Sequence, residues 1–268
     1  MEVTSGVPQG SILGPYLFAL TTASYKPTQS ECKVIRYADD TTLCFPLYHS
    51  SDNGHVQKEH EYLLQWSKSM DLQMNVLKCK YLIVSKRNCK LVNIPVMSDV
   101  TEVESMDILG VTYNSKGTWT QHFNRVNKIA SRRLYALRIL KPCLSHEKLL
   151  LVYYATVRSI LEYCGPLFVG VSGRDAEASE ILQRRFHRLL CGKACTSECI
   201  QSLHQRRQIQ ALKLLQKTMF SQHILSKYLP PLSSRGRFIL PMRNTCKRSK
   251  TFFLYTSCKM YNQLLFKR

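Results

Sequence analysis

Short apolar runs dominate the first part of the chain, and long helical stripes the rest. Val34-Ile35 and Thr41-Thr42-Leu43-Cys44-Phe45 flank Tyr37-Ala38-Asp39-Asp40, a pattern that predicts a β-hairpin over 34–45 with a tight acidic turn. From Asp52, a candidate N-cap, to Met70, the positions Val56, Tyr62, Leu63, Trp66 and Met70 fall at helical intervals. Residues 72–84 read as a helix end turning into a strand. Short β-prone pieces follow at 91–96 and 100–103, and 106–113 reads as one strand entering a turn at 114–117.

Beyond that point the period changes. Trp119, Phe123, Val126, Ala130, Leu134, Leu137 and Leu140 form one stripe, which Pro142 stops. Ser145 is expected to cap a helix reaching about Tyr163, with Leu149, Val152, Tyr153, Thr156, Val157, Ile160 and Leu161 inward. A third helix, 176–190, is predicted to turn Ile181, Leu182, Phe186, Leu189 and Leu190 inward and Arg184, Arg185 and Arg188 outward. A fourth, 203–228, is predicted to expose Arg206, Arg207, Lys213 and Lys217. The fold class is α+β: an antiparallel sheet with helices over 1–115, a helical region over 116–170, and a basic helical region with an extended tail over 171–268.

Charge sharpens this division. The 268 residues carry a formal net charge of +20. Residues 1–115 hold 10 Lys/Arg against 12 Asp/Glu (net −2), and residues 116–268 hold 28 against 6 (net +22). A near-neutral front and a strongly basic back point to a polyanionic partner for the back half. Arg125, Lys128 and Arg132 line one helix face opposite the apolar stripe, where they suit phosphate contact. Basic residues interleaved with Phe252-Phe253 and Tyr261-Asn262 can contact backbone and stack on bases; a docked aromatic end is the alternative. No apolar run approaches the roughly 18 residues of a membrane span, and Met1-Glu2-Val3-Thr4 does not resemble a secretory signal. With eleven cysteines in no repeating framework, the expectation is reduced thiols in an intracellular protein, nuclear or cytoplasmic. His187, Cys191, Cys195, Cys199 and His204 lack the paired spacing of structural zinc sites. Partly buried thiols are therefore the preferred reading, with zinc as the alternative.

Two adjacent acids on a turn have two explanations. Asp caps its own backbone in turns, and hard carboxylate oxygens hold Mg²⁺ against phosphates. Upstream lies Ser5-Gly6-Val7-Pro8-Gln9-Gly10-Ser11-Ile12-Leu13-Gly14-Pro15. Its glycines permit close backbone approach to a ligand, its prolines stiffen the loop, and Ser11 can cap a helix over 13–20. This segment followed by Tyr-Ala-Asp-Asp resembles motifs B and C of reverse transcriptases, specifically those of non-LTR retrotransposons. Asn75-x-x-Lys78 before an apolar strand resembles motif D. Leu109-Gly110-Val111 resembles motif E, a hairpin that supports the primer end, and 158–166 resembles the segment that follows it.

The resemblance implies a partial polymerase palm at 1–115 and a helical thumb at 116–170. It implies RNA-directed DNA polymerisation with an RNA template, a DNA primer, deoxynucleoside triphosphates and Mg²⁺ or Mn²⁺, and no membrane. Asp39 and Asp40 would be catalytic metal ligands, and Lys78 a proton donor to the departing pyrophosphate. Pro8, Gln9, Gly10, Tyr37, Leu109 and Gly110 would contact substrate. The family's further metal-binding Asp lies in motif A, upstream of motif B, and has no counterpart here; the fingers are missing too. A truncated enzyme, inactive alone, is therefore expected, with a non-catalytic nucleic-acid-binding remnant as the alternative. Polymerase descent is also expected to show a strand beside the acidic bend.

Overall fold

The computed structural model describes residues 10–47, 53–84, 97, 99–192, 201–220, 222–240 and 252–265. They form two units, 1–106 and 107–268.

In the first unit, helix α1 (Gly14–Ala23) starts where the Gly14 N–H donates to Ser11 Oγ at 2.9 Å. A connector leads to the hairpin β1 (Lys33–Tyr37) and β2 (Asp40–Cys44), whose register runs from Lys33↔Cys44 to Tyr37↔Asp40. The connector is held by a residue of helix α2 (Asn53–Ser69). Glu59 is fully buried and accepts from the Tyr25 hydroxyl, from the Thr28 N–H at 2.9 Å, from the Thr28 hydroxyl and from the Gln29 N–H at 3.1 Å. Burial alone would raise the Glu59 carboxyl. The hydrogen bonds from Thr28, Tyr25 and Gln29 outweigh it and hold the group below the usual carboxylate range. Trp66 and Tyr62 of α2 close over the Tyr25 ring, at centroid distances of 5.2 and 5.8 Å. Arg36 of β1 donates to the carbonyls of Thr22 and Tyr25, so the hairpin is tied to the same connector.

Strands β3 (Lys80–Tyr81) and β4 (Thr101–Glu102) pair in parallel. The sheet expected to be antiparallel throughout is, among the described residues, a set of separate two-stranded ladders, one of them parallel. The β-prone piece at 91–96 and the N-cap Asp52 lie outside the described residues.

The boundary falls within β5 (Ser105–Ile108), which pairs with β6 (Val111–Asn114). The run 106–113 is thus two strands, not one. Leu109 and Gly110 both take positive φ, +49° and +79°, as a two-residue hairpin turn requires. The expected turn at 114–117 is also present, closed by Gly117 N–H on the Asn114 carbonyl at 2.9 Å.

Helix α3 (Thr120–Leu140) buries Phe123, Val126, Ala130, Leu134 and Leu137, as the stripe predicts, and His122 besides; Leu140 at its end is exposed. Ser145 caps α4 (His146–Tyr153), but the long helix expected to reach 163 is interrupted. Residues 154–158 form a π turn before α5 (Ser159–Glu162). Helix α6 (Gly173–Cys191) packs across α3, and the Tyr153 and Phe186 rings stack with centroids 3.6 Å apart. Val157, Leu161, Leu182 and Leu203 complete that core. The α3–α6 contact is sealed by polar pairs as well: Ser179 Oγ meets Asn127 Oδ1 at 3.0 Å, and Thr120 Oγ1 donates to Asp175 Oδ2 at 3.1 Å. Ile181, expected inward, faces outward; Asp175, Ser179, Leu182, Gln183 and Phe186 form the inner stripe instead.

Helix α7 (Leu203–Phe220) ends short of 228, which lies in a separate 3-10 turn. Its buried stripe is Leu203, Arg207, Ala211, Leu215 and Thr218. Arg207, expected exposed, is therefore interior. Its guanidinium lies 5.2 Å from the Phe123 ring centroid and donates to the Leu161 carbonyl at 3.3 Å. Helix α8 (Phe253–Leu265) docks on α7, and Asn262 both donates to and accepts from the Phe238 backbone at 2.9 Å. The aromatic end of the chain is thus docked, with Phe253 buried and Phe252 half exposed.

Candidate catalytic turn and nucleic-acid interface

The acidic turn follows from the hairpin register. Tyr37 pairs with Asp40, which leaves Ala38 and Asp39 as the two-residue loop, and Ala38 takes φ +51° to close it. Pleating turns alternate β1 side chains to opposite faces. Val34 and Arg36 lie half-buried while Ile35 and Tyr37 are 60% and 66% exposed. Asp39 and Asp40 are both exposed, and among the described residues neither carboxylate makes a hydrogen bond or ion pair. No described residue neutralises them, so two hard-oxygen ligands are available to a cation. That donor chemistry fits Mg²⁺, which takes one or two carboxylates and fills its shell with waters and substrate phosphates. A third ligand is not gathered here: no group of three or more His, Cys, Asp or Glu forms a metal-binding cluster among the described residues.

Lys78 sits on a 3-10 turn (Val76–Lys78) whose first N–H groups are capped by Asn75. The Asn75 Oδ1 accepts from the Lys78 backbone at 3.3 Å, and the Lys78 side chain is exposed. The Asn75-x-x-Lys78 spacing is thus a capping geometry in its own right. Gly10 is exposed with φ +85°; Pro8 and Gln9 lie outside the described residues. Among the described residues no strand flanks either edge of the hairpin. An open, unflanked bend was expected to stand against reverse transcriptase descent, and the comparisons below correct that expectation.

In the second unit the structure gathers three of the expected residues. Arg125 donates to the Gly110 carbonyl at 2.6 Å and to Asp107 Oδ2 at 3.1 Å; Asp107 Oδ1 in turn accepts from the Thr112 hydroxyl at 2.6 Å. The Tyr163 hydroxyl donates to the Leu109 carbonyl at 2.7 Å. Both carbonyls of the Leu109–Gly110 turn are therefore held by the helices behind it. His122 Nδ1 accepts from the Thr112 N–H at 3.2 Å, and its ring stacks on Phe168 at 4.9 Å. Burial, then the positive charge of Arg125, lowers its pKa, so it is held neutral. A cleft of about 350 Å³ opens behind the turn, lined by Leu109, Gly110, His122, Arg125 and Tyr163 among others. Lys128 and Arg132 are exposed and have no partner among the described residues, whereas Arg125 is committed to the hairpin.

Residue-type reasoning missed Tyr163, His122, Asp107, Glu59 and Arg36 as supports. The spacing of His122 one residue before the α3 stripe was the available signal. Cys195 and Cys199 lie outside the described residues. Cys32 and Cys258 are buried, and burial pushes their thiols up to about 11 and about 12, as expected of packing thiols.

Residues 1–113 match the family described as reverse transcriptase (RNA-dependent DNA polymerase). This first part of the chain is similar to a reverse transcriptase domain of the non-LTR retrotransposon kind. Over 137 residues, 47% of the chain, it is 24% identical to the RNA-directed DNA polymerase from mobile element jockey of Drosophila melanogaster. The chain covers 15% of that relative's length. No solved structure matches. The matched stretch contains the acidic turn, the Asn75–Lys78 turn and the β5–β6 hairpin up to Tyr113. No helix of the described residues is long and apolar enough to cross a membrane.

Proposed function

We propose that this chain is a fragment of a retrotransposon RNA-directed DNA polymerase. The observation that carries the proposal is the Tyr37–Asp40 turn, two free carboxylates at the tip of a hairpin inside a reverse transcriptase-like domain. Asp39 and Asp40 would hold Mg²⁺ or Mn²⁺, which when bound supplies charge neutralisation at the reacting phosphates. Tyr37 and the motif-B loop around Pro8, Gln9 and Gly10 border the incoming deoxynucleoside triphosphate. Lys78 gives its proton to the departing pyrophosphate. The Leu109–Gly110 turn, fixed by Arg125 and Tyr163, supports the primer end, and exposed Lys128 and Arg132 take phosphates of the RNA–DNA duplex. On this reading 1–115 is the palm, 116–170 the thumb and 171–268 a basic region that lies against nucleic acid, in nucleus or cytoplasm.

A second reading, a non-catalytic nucleic-acid-binding remnant, is favoured by one observation: the described residues bring no third carboxylate to the turn. Primer extension on an RNA template with Mg²⁺ or Mn²⁺ separates the two. Extension lost in Asp39→Asn supports the polymerase; duplex binding with no extension by the parent chain supports the remnant.

A further inference from the structure

A second cleft, about 440 Å³, adjoins the first at Ser159 in the helical unit and is ringed by Tyr154, Arg158, Ser159, Glu162 and Arg206. The π turn at 154–158 and the start of α5 make one wall, and α7 supplies Arg206. Glu162 stands between two guanidinium groups. Arg158 Nε donates to Glu162 Oε1 at 2.9 Å, and Arg206 takes both oxygens, through Nε and through Nη2 at 2.9 Å.

That leaves the cleft with a surplus. Both terminal nitrogens of Arg158 and one of Arg206 have no partner among the described residues. Yet Arg158 is only 8% exposed and is backed by the Tyr154 ring, 4.9 Å from its guanidinium carbon. These nitrogens reach the water of the cleft, where a phosphate oxygen can take that water's place and gain a charge-assisted hydrogen bond. The charges count the same way. Two arginines against one glutamate leave +1, the complement of one singly charged oxyanion. Arginine forks match phosphate oxygens bidentately.

We propose that this cleft binds a single phosphate group, carried either by the backbone of a nucleic-acid strand or by a free nucleotide. Glu162 holds the two forks in place and sets the charge of the site to match one phosphate. Polymerisation is not required for this binding, and the site stands whether or not the acidic turn is catalytic.

The test is a titration of the full chain with inorganic phosphate, with thymidine monophosphate and with a labelled oligo(dT), reading the Nε–H resonances of Arg158 and Arg206 by NMR. Binding should shift both resonances. Arg206→Gln makes the cleft neutral and should weaken phosphate binding about tenfold, the effect of losing a charge-assisted hydrogen bond. Glu162→Gln raises the surplus to two and should tighten it, an opposite change that a purely structural ion network does not produce. Circular dichroism checks folding of each, and should Glu162→Gln fail to fold, Arg206→Gln, altering a half-exposed side chain, still decides. For oligo(dT), the Arg206→Gln salt slope should fall by about 0.7, one single-strand phosphate. A slope change assigns the site to a strand; tight monophosphate binding without it assigns the site to a nucleotide. Unmoved Arg158 and Arg206 resonances with all three probes, or an Arg206→Gln affinity within twofold of the parent, overturns the proposal.

Discussion

Replacing Glu59 by Gln should unfold the first unit at a much lower temperature. The carboxylate is fully buried and accepts from four donors: Tyr25 on Oε1, and the Thr28 N–H, the Thr28 hydroxyl and the Gln29 N–H on Oε2. A glutamine of the same size keeps its oxygen on the three-donor side and turns an NH2 toward Tyr25, whose hydroxyl loses its acceptor, while the other three bonds lose their charge assistance. At roughly 1–3 kcal/mol for the stranded donor and about 1 kcal/mol for each bond made neutral, the loss is about 4–6 kcal/mol, and for a unit of this size that lowers Tm by at least about 10 °C.

The linkage with pH gives a second handle. The folded-state pKa of Glu59 is depressed, so its contribution is complete above the unfolded carboxylate value of about 4.3 and is lost as pH falls through the folded value. The gap in Tm between parent and Glu59→Gln should therefore be full at neutral pH and close on acidification. Trp66 lies against Tyr25 and donates to Ser24 Oγ at 3.2 Å. Of the two tryptophans, it alone reports on this unit, so the melt is followed by fluorescence in a Trp119→Phe background. A Tm within 2 °C of the parent, or a gap unchanged between pH 7 and pH 3, would falsify the bracing role given to Glu59.

Further outcomes follow from the second unit. Lys128→Ala with Arg132→Ala should reduce the salt slope of RNA–DNA duplex binding by about 2; an unchanged slope removes these residues from the interface. Arg125→Ala should act on the hairpin instead, speeding amide exchange around Leu109–Gly110, with a stability loss of about 1 kcal/mol for so exposed a pair; unaltered exchange refutes the brace. Arg207→Met keeps the stem packing and discards a buried charge whose Nε has no partner, so the melt should stay level or rise; a drop above about 2 kcal/mol shows the charge to be needed. His122 is held neutral among Arg125, Asp107 and Arg207 with a lowered pKa, so the unfolded state binds the proton first. Stability of the second unit should then decline as pH drops below about 6.5, and His122→Asn should flatten that decline.

Where side chains were apolar and periodic, the chain announced its structure: the acidic hairpin, the α3 stripe and the Ser145 cap all appear where the spacing puts them. The misreadings share a cause. Arg207, Arg36 and Glu59 occupy inner positions of their elements, but a charge there looks like surface until its partner is known. Arg207 sits one helical turn from both Leu203 and Ala211, so the step of four was visible and the residue type hid it. The Leu109–Gly110 turn was passed over because Leu109 takes a backbone conformation that leucine seldom adopts, and only the motif-E resemblance marked a hairpin there. Lys78 and the Asp39–Asp40 pair were legible as a pattern; what surrounds them chemically is set by residues far away in sequence.

The π turn carries a consequence for how this chain can change. Residues 154–158 fit five positions where an even pitch would use fewer, and the following segment is phased accordingly. Deleting one residue there would rewind everything from Ser159 onward by about 100°, swinging Leu161 out of contact with Leu182 and Phe186 and parting Glu162 from Arg206. Between 145 and 163, then, spelling is negotiable and length is not: substitutions should be absorbed far more readily than a single codon gained or lost.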